Sequence, residues 1–317
     1  MALTLVQAAT LSTDDLQRGV IETIIEGAPL LQLLPFHTVT GNAYAYVQEK
    51  TLPGADFRGV NEGYTESTGE DEKITETLAI LGGDADVDRF IVQTNPGEVA
   101  NQRAEQTRLK SKAVRMQFQD AFINGDTSSN AKAFNGLKKR LTGSSTQEIS
   151  AATNGLPIIG TSDADRHAFL DKLDQLIAAV PGGPDILLTN AAILGAFKSA
   201  ARRLTIYDET KDAFGKPVTT YQGIPVVDVG NKGNGSAIIP QTETQGSSSV
   251  TGSIYAVRFG RTPEERGVTG LTNGGVQVYD LGEVDDKPAF RTRIEFYVGL
   301  AVHGGRAAAR LKGVLAS

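Results

Sequence analysis

Apolar residues near the start of the chain recur at helical spacing. Leu16, Val20 and Ile24 fall on one face of a predicted helix, which begins after a capping run at 12–15 and ends before Pro29. A short helix with one apolar face cannot bury that face by itself, and the surrounding segment supplies little else to pack on. The pattern therefore predicts that this face packs against a neighbour, in this chain or in another.

From Val39 onwards the apolar period changes from that of a helix to that of a strand. Side chains alternate through residues 44–49, become polar and rich in Gly and acids through residues 51–73, and alternate again at 74–81. This order predicts two strands joined by a long projecting segment, here called the tongue (residues 51–73). Loops of that length in compact domains are usually functional or bound to a partner.

A single long helix is predicted next. The run NPGE at 95–98 has the residue types of a helix start, and the pattern continues to Gly125 without a breaker. About 28 residues at 1.5 Å each give a helix of roughly 42 Å. Gly125 is expected to end it in the left-handed conformation. An apolar stripe of Val114, Phe118 and Phe122 occurs only near its C-terminal end, so the helix is predicted to lie across a surface.

The earlier turns of this helix carry a row of cations: Arg103, Arg108, Lys110, Lys112 and Arg115. Such a row could follow a phosphate backbone, which attracts Lys and Arg whatever its base sequence. It could equally pair with acidic neighbours such as Glu98, Glu105 and Asp120. No aromatic residues alternate with the cations, so nothing favours stacking on bases. Both interpretations remain open.

The remainder of the chain alternates short helices and strands. Helices are predicted from Asp163 or Asp165 to Val180 and over 191–203, and residues 230–252 are predicted as a loop. Strands are predicted at 185–190, 253–260, 275–282 and 291–303, with a strand-turn-strand unit between Tyr207 and Val229. This mixture indicates an α+β chain.

Composition narrows the classes of protein. The chain of 317 residues has a net charge of −6, so any attraction to nucleic acid needs a local basic patch. It contains no Cys, which excludes disulfides, thiolate metal sites and a Cys nucleophile. The first residues lack the basic and long apolar regions of a secretory signal, and no apolar run is long enough to span a bilayer. We expect a product that stays in the compartment where it is made.

One run of acidic residues resembles a metal site. Asp84, Asp86 and Asp88 alternate along a predicted strand and would present three carboxylates on one face, as hard cations require. The run lacks the Gly and distal Glu of a calcium-binding loop, and Arg291 and Arg293 offer a pairing alternative. The histidines stand apart in sequence, and no Gly-x-Ser-x-Gly motif occurs. We therefore expect no catalytic site, no cofactor and no metal site.

The order of these elements, together with three local sequences, resembles a known family. The local sequences are AFINGDTSSNAKAFNGL at 121–137, TTYQGIPVV at 219–227 and RTRIEFYVGLAVHGGRAAARLKGV at 291–314. The chain has a leading arm, an acidic tongue on two strands, an isolated long helix, a mixed body and a long closing strand. In this order it resembles the major capsid proteins of tailed bacteriophages, which have the Hong Kong 97-type fold. The resemblance extends over nearly the whole chain.

The resemblance implies an α+β Hong Kong 97-like capsid fold with four parts. These are an N-terminal arm (1–37), an extended E-loop with its supporting strands (38–92), a peripheral domain with a long spine helix (93–154 and 275–304) and a mixed α/β axial domain (155–274 and 305–317). It implies a structural head protein, not an enzyme, that forms the pentamers and hexamers of an icosahedral shell around double-stranded DNA. The alternative is an encapsulin-type nanocompartment shell of the same fold.

The same resemblance implies partners and contact residues. The chain would bind copies of itself, a portal, a separate scaffold, a decoration protein and packaged DNA, in a virion assembled in the host cytoplasm. No cofactor and no membrane is implied. Contacts between subunits are expected from the E-loop residues Leu52, Phe57, Arg58, Glu62 and Tyr64 and from the arm residues Leu16, Val20 and Ile24. The spine-helix cations expected to face DNA are Arg103, Arg108, Lys110, Lys112 and Arg115.

Overall fold

The computed structural model describes residues 3–7, 15–26, 28–94, 99–204, 208–211 and 217–317. Within these ranges the helical elements are α1 (Asp15–Ile25), α2 (Pro29–Leu33), α3 (Arg89–Thr94), α4 (Val99–Asn124), α5 (Leu137–Leu141), α6 (Asp163–Ala178) and α7 (Ala191–Arg203). The first strands are β1 (Leu3–Thr4), β2 (Pro35–Thr38), β3 (Ala43–Thr51), β4 (Glu70–Thr77) and β5 (Ala79–Asp88). The later strands are β6 (Glu148–Ser150), β7 (Leu156–Pro157), β8 (Ile186–Thr189), β9 (Asp208–Lys211), β10 (Pro217–Tyr221), β11 (Ile224–Asp228), β12 (Glu243–Gln245), β13 (Ser248–Val257), β14 (Val268–Glu283), β15 (Ala289–Val302) and β16 (Ala308–Leu315).

The strands form two large sheets and one two-stranded ribbon. The first sheet has five strands in the order β1-β2-β14-β15-β5. The second has nine strands, with the order β6-β16-β13-β8-β11-β10-β9 and with β7 and β12 paired beside that path. The ribbon consists of β3 and β4. Because β13 precedes β14 and β16 follows β15, the chain crosses twice between the two large sheets near its C-terminus.

Helices α1 and α4 pack against the five-stranded sheet. Phe118 and Phe122, one turn apart on α4, are fully buried, and the Phe118 ring lies 6.0 Å from both the Phe36 ring and the Phe296 ring. The apolar stripe predicted near the end of the long helix is thereby confirmed. Burying one such side chain stabilises a fold by roughly 1.5–3 kcal/mol, so the stripe holds the helix to the sheet.

The nine-stranded sheet is apolar on both faces. Phe169 on α6 and Phe197 on α7 belong to a buried cluster with residues from one face of strands β8, β13 and β16. Residues from the opposite face, such as Leu188 and Tyr255, belong to the cluster that also contains Phe118. One continuous core therefore connects the two large sheets.

The apolar face of α1 packs against other elements of the same chain. Val20 and Ile24 are 4% and 1% exposed and lie in the cluster that contains residues of α4. The guanidinium of Arg115 on α4 donates to Glu26 O, just beyond the end of α1. The sequence left open whether this face packs in its own chain or in another, and the answer is its own chain. The predicted capping residues at 12–14 lie outside the described residues.

The end of the long helix differs from its prediction in one detail. Helix α4 ends at Asn124, as predicted, but Gly125 is not in the left-handed conformation. A Cβ at Gly125 would lie 2.3 Å from Phe134 O. Glycine is required there because two backbone segments meet, with Gly136 N donating to Gly125 O at 2.8 Å. The predicted helix start at 95–98 lies outside the described residues.

Four strands were missed or predicted with the wrong extent. Residues 230–252 were predicted as a loop, but β12 and the start of β13 lie there and pair as a hairpin. Strand β14 begins at Val268, before the predicted start at 275, and the closing residues form β16, where no strand was predicted. Short or Gly-rich polar strands have little periodicity of their own. They form here because a neighbouring strand supplies the backbone hydrogen bonds.

Candidate assembly surface

The tongue projects from the body on the ribbon of β3 and β4. Every residue of the tongue (residues 51–73) is exposed, and its apolar side chains have no cover in the subunit. The exposed fractions are 74% for Leu52, 108% for Phe57, 91% for Val60 and 71% for Tyr64. The prediction of two strands joined by a long segment is confirmed. Several uncovered apolar residues on one polar segment are typical of a surface that binds another protein.

Local contacts give the tip of the tongue a defined shape. The Arg58 guanidinium lies 5.3 Å from the centre of the Tyr64 ring and donates to Glu62 O at 3.2 Å. The Glu62 carboxylate accepts from Gly59 N at 2.8 Å. These contacts lie entirely within the tongue and directly follow Phe57 in sequence. A tip that is already ordered loses less conformational entropy when it binds a partner.

An ion pair anchors the root of the tongue to the body. Arg140 on α5 donates to both carboxylate oxygens of Glu76 on β4, at 2.6 and 2.9 Å. The same guanidinium donates to Asn135 O at 2.9 Å and to Leu300 O at 3.1 Å. The side chains of Arg140 and Glu76 are 18% and 14% exposed. The tongue, the segment after the long helix and strand β15 are thus joined at one point.

Aromatic side chains complete the root. The Tyr46 hydroxyl donates to Val302 O at 3.2 Å, and the Tyr46 ring lies 4.7 Å from the His303 ring. The Tyr44 ring lies 5.2 Å from the His37 ring on the same side. Burial lowers the pKa of His303 and raises the pKa of Tyr46, so both groups are neutral at pH 7. Uncharged ring packing therefore supports the ion pair at the root.

Replacing Glu76 with glutamine should destabilise the subunit by about 2 kcal/mol, because Arg140 would keep its charge without a carboxylate partner. The measurement is the free energy of unfolding in urea. D84N is the matched control, since Asp84 makes a similar pair with Arg293 in which the side chains are 30% and 37% exposed. The free energy of unfolding of D84N should be less than about 1 kcal/mol below that of the parent. Equal losses in the two variants would contradict an anchoring role for Arg140.

The three predicted arm contacts lie in different surroundings. Val20 and Ile24 pack in the core of their own subunit, whereas Leu16 on the same helix is 43% exposed. Of the three, Leu16 alone offers a large exposed fraction to a second chain in this conformation. A contact between subunits stays a prediction for all three residues. For Val20 and Ile24 it would require α1 to leave its position against α4.

Most cations of the long helix have partners within the subunit. The pairs are Arg103 with Asp280 at 2.7 Å, Arg108 with Glu105 at 2.6 Å and Arg115 with Glu26 O. Among the described residues, no hydrogen-bond or ion-pair partner is found for Lys110 or Lys112. Asp120 pairs with Lys232 at 3.0 Å, and Glu98 lies outside the described residues. Pairing within the chain therefore accounts for most of the row, and its contact with DNA stays a prediction.

The acidic run on β5 is paired with arginines of β15. Arg293 binds Asp84 at 2.7 and 3.0 Å, and Arg291 binds Asp86 at 2.8 and 2.9 Å. Hydrogen bonds from Arg291 and Lys287 hold the pKa of Asp86 well below its ordinary value. Within the described ranges, no group of three or more His, Cys, Asp or Glu is arranged to hold a metal ion. The arginine-paired interpretation of this run is confirmed.

Two family models match consecutive parts of the chain. The model of the major capsid protein GP7 matches residues 12–164. The model of the type 2A encapsulin shell protein SrpI-like matches residues 161–284. A comparison with curated proteins finds no match. The first part of the sequence is thus similar to a capsid protein, and the second part is similar to a compartment shell protein.

Solved structures of both kinds superpose on the whole subunit. The holo-SrpI encapsulin complex from Synechococcus elongatus PCC 7942 is similar at a TM-score of 0.64 and 19% identity, covering 100% of this chain and 98% of that one. The capsid of the native GTA particle has a TM-score of 0.62 and 18% identity, with 92% and 90% covered. Mycobacterium phage Bobi has a TM-score of 0.55 and 16% identity, with 90% of each chain covered. This chain has the Hong Kong 97-type capsid fold.

The Hong Kong 97-type fold confirms the resemblance that the order of elements indicated. The proteins matched by these comparisons include capsid proteins and encapsulin shell proteins. In the part of the chain that the structure describes, no helix is both long enough and apolar enough to cross a membrane.

Some features of this surface were missed from the sequence. Glu76 and Arg140 are 64 positions apart, and no local spacing connects them. Further exposed apolar residues outside the tongue include Ile80, Phe90 and Ile91, with exposed fractions of 75%, 72% and 40%. Ile80 carried a detectable signal, because it shares the polar face of β5 with the acidic run. For Phe90 and Ile91 the signal was weaker, since α3 is too short to show a clear period.

Proposed function

We propose that this chain is a major capsid protein that self-assembles into the pentamers and hexamers of an icosahedral phage head around double-stranded DNA. The tongue is the observation that supports the proposal most directly, because its apolar residues have no cover in the subunit. Burying them against neighbouring copies would convert their burial free energy into assembly free energy. The similarity of residues 12–164 to a capsid family, a range that includes the tongue and α4, supports the phage assignment.

The parts of the subunit take distinct roles in this proposal. Residues 1–37 form the arm, 38–92 the E-loop, 93–154 with 275–304 the peripheral domain, and 155–274 with 305–317 the axial domain around the capsomer centre. The E-loop contacts neighbouring subunits through Leu52, Phe57, Arg58, Glu62 and Tyr64, and the arm does so first through Leu16. The cations of α4 that remain accessible offset the charge of packaged DNA locally.

Further partners follow from the same proposal. A head of this kind is assembled in the host cytoplasm and becomes part of the virion. It has a portal at one vertex, is shaped by a separate scaffold and is covered by a decoration protein. The net charge of −6 does not draw DNA into the shell, so a separate motor would drive packaging.

An encapsulin-type compartment shell is the second candidate. The similarity of residues 161–284 to the SrpI-like shell protein supports it, as does the full-length similarity to the SrpI encapsulin structure. Both candidates require the same tongue and the same contacts between subunits. They differ in what the shell contains, which is nucleic acid in one case and protein cargo in the other.

The purified chain should form closed hollow particles. Size-exclusion chromatography with light scattering gives the mass of the assembly, and negative-stain microscopy shows whether rings of five and six subunits are present. Particles isolated from the natural source are then treated with nuclease and analysed for protein. Protected DNA supports the phage head, and a co-purifying enzyme supports the compartment. A chain that stays monomeric, even when co-expressed with the proteins of neighbouring genes, would contradict both candidates.

A further inference from the structure

A cleft of about 650 Å³ lies beside the root of the tongue. Its walls come from the end of β3, from the turn before β6 and from the two segments that connect the large sheets, 258–267 and 303–307. Three arginines line it: Arg258, Arg266 and Arg306. Two other cavities of the described residues have one cation each, Arg108 and Lys232, and the chain as a whole is acidic. The cleft is thus a local positive site on a negative protein.

The guanidinium of Arg258 donates to a neutral acceptor, Pro181 O, at 2.5 Å and keeps its charge. The Glu265 carboxylate accepts from Arg261 N at 2.6 Å, and the Glu264 carboxylate bonds to Thr262, so both are held within their own loop. Arg306 is exposed, and no oxygen of the described residues accepts from its guanidinium. Part of the positive charge therefore remains available to a carboxylate from outside the subunit.

The residues at the base of the cleft are closely packed. Gly304 and Gly305 both have positive φ, and a Cβ at Gly305 would lie 2.2 Å from Gln48 Nε2. A Cβ at Gly304 would lie 2.9 Å from Arg266 Cβ. Gln147, which is 3% exposed, has an Oε1 atom with no hydrogen-bond partner. Because Oε1 is an acceptor, only a donor such as water can satisfy it, so it does not contribute to binding a carboxylate.

The tongue has the complementary charge. Two of its carboxylates, Asp56 and Glu66, have no partner among the described residues, in contrast to Glu62, which accepts a backbone hydrogen bond. They flank the exposed apolar residues Phe57 and Tyr64. At the rim of the cleft, Leu52 is 74% exposed and offers an apolar contact. An occupant with paired carboxylates around apolar side chains fits both features of the cleft.

We propose that the arginine cleft of one subunit receives the tip of the tongue of a second copy. In this contact Asp56 pairs with Arg258, and Glu66 pairs with Arg306. This inference rests on the proposed shell function. The tongue of the same subunit cannot be the occupant in this conformation, because it starts at the rim of the cleft and its tip is fully exposed. A loop limb of about nine residues reaches up to about 30 Å, enough to cross onto a neighbour. Repeated around a ring, this contact is heterologous and closes on itself.

The first test is a charge exchange. R306E should reduce the assembled fraction at least tenfold, and so should E66K, because each places like charges together. Combining R306E with E66K in one chain should restore at least half of the assembly, since Asp56 and Arg258 keep their charges. R261E is the matched control, since Arg261 lies in the same loop, is exposed and does not line the cleft. It should assemble as the parent does. Assembly of R306E at the parental level would overturn the proposal.

The second test works even if a charge reversal disturbs folding. The chain contains no Cys, so single-cysteine variants carry one thiol each. R306C and E66C chains, mixed before assembly and then treated with a bis-maleimide cross-linker, should form a covalently linked dimer on a denaturing gel. A cross-linker is needed because the Cα atoms of an Arg–Glu pair lie farther apart than a disulfide spans. A mixture of R261C and E66C should not. Absence of the R306C–E66C dimer in well-formed shells would refute the docking while leaving the shell function intact. Failure of the parent chain to assemble would instead refute the proposed function.

Discussion

A subunit in which both Phe57 and Tyr64 are replaced by serine should fold normally and lose most of its ability to assemble. The fold should be unaffected because these side chains are 108% and 71% exposed and lie outside every core cluster of the described residues. Surface substitutions of this kind usually change stability by less than about 0.5 kcal/mol. The melting temperature of the monomer should therefore match that of the parent.

The expected loss of assembly follows from the apolar area involved. Burying a large apolar side chain contributes roughly 1.5–3 kcal/mol, so two of them contribute about 3–6 kcal/mol to each contact between subunits. At 1.4 kcal/mol per factor of ten, the affinity of each contact should fall at least about a hundredfold. The assembled fraction is measured by size-exclusion chromatography over a series of protein concentrations, with particle counts from microscopy.

A substitution of an exposed apolar residue outside the tongue provides the control. Val250 on β13 is 60% exposed, and V250S removes a smaller apolar surface from the nine-stranded sheet. It should assemble at the parental concentration. If F57S/Y64S assembles as readily as V250S, the tongue is not the main source of assembly free energy. The proposal for its role would then be wrong, although the Hong Kong 97-type fold would stand.

The tongue was predictable because its composition changes sharply at both ends. The period-two pattern stops at residue 51 and resumes at 74, and strong local patterns of this kind survive in any tertiary context. The stripe of Phe118 and Phe122 was predictable for the same reason. In both cases the information lies within one stretch of chain, so no knowledge of distant partners is needed.

What could not be predicted depends on contacts between distant segments. The nine-stranded sheet brings together β6, β16, β13 and β8, which lie far apart in sequence, and the β6–β16 and β8–β11 pairs are parallel. The arm helix was correctly given an apolar face, but the sequence could not say that Val20 and Ile24 meet α4 of the same chain. The arginine cleft could not be predicted for the same reason, because its cations come from two separate segments.

A buried ion network joins the end of the chain to the nine-stranded sheet. Arg310 on β16 donates to Glu148 Oε1 at 3.0 Å, to Glu243 Oε1 at 2.8 Å and to Ser253 Oγ at 3.1 Å. The three charged side chains are only 7%, 9% and 10% exposed. Strands β16, β6, β12 and β13 meet at this one guanidinium. Removing it would leave two buried carboxylates whose remaining cations, Lys138 and Lys312, are 38% and 34% exposed.

Replacing Arg310 with methionine should lower the free energy of unfolding by about 3–5 kcal/mol, the usual cost of leaving a buried charge without its partner. Urea denaturation is best measured in the F57S/Y64S background, so that assembly does not add to the apparent stability. K312M is the matched control, because Lys312 lies on the same strand and pairs with Glu148 at 3.3 Å but is 34% exposed. The free energy of unfolding of K312M should be less than about 1 kcal/mol below that of the parent.

The decrease in unfolding free energy caused by R310M should depend on pH in a defined direction. Burial alone would raise the pKa of Glu243 and of Glu148, but hydrogen bonds and the nearby cations more than offset it, so both values are lowered. In the parent, these carboxylates contribute stability at neutral pH that is lost as the pH falls through their lowered pKa values. Without Arg310 their pKa values in the folded state rise. The folded variant then takes up protons before the unfolded chain does, and it gains stability relative to the parent on acidification.

The difference in unfolding free energy between parent and R310M should therefore be largest near pH 7 and should narrow towards about pH 5. Parallel urea titrations at several pH values test this directly. The Arg310 guanidinium also lies 5.7 Å from the centre of the Tyr255 ring, so part of its contribution is a cation–π contact, which does not depend on pH in this range. A difference that stays constant from pH 7 to pH 5 would assign the whole effect to this contact and to packing. A difference that narrows shows that the charge of Arg310 keeps the two buried carboxylates ionised and thereby joins the four strands.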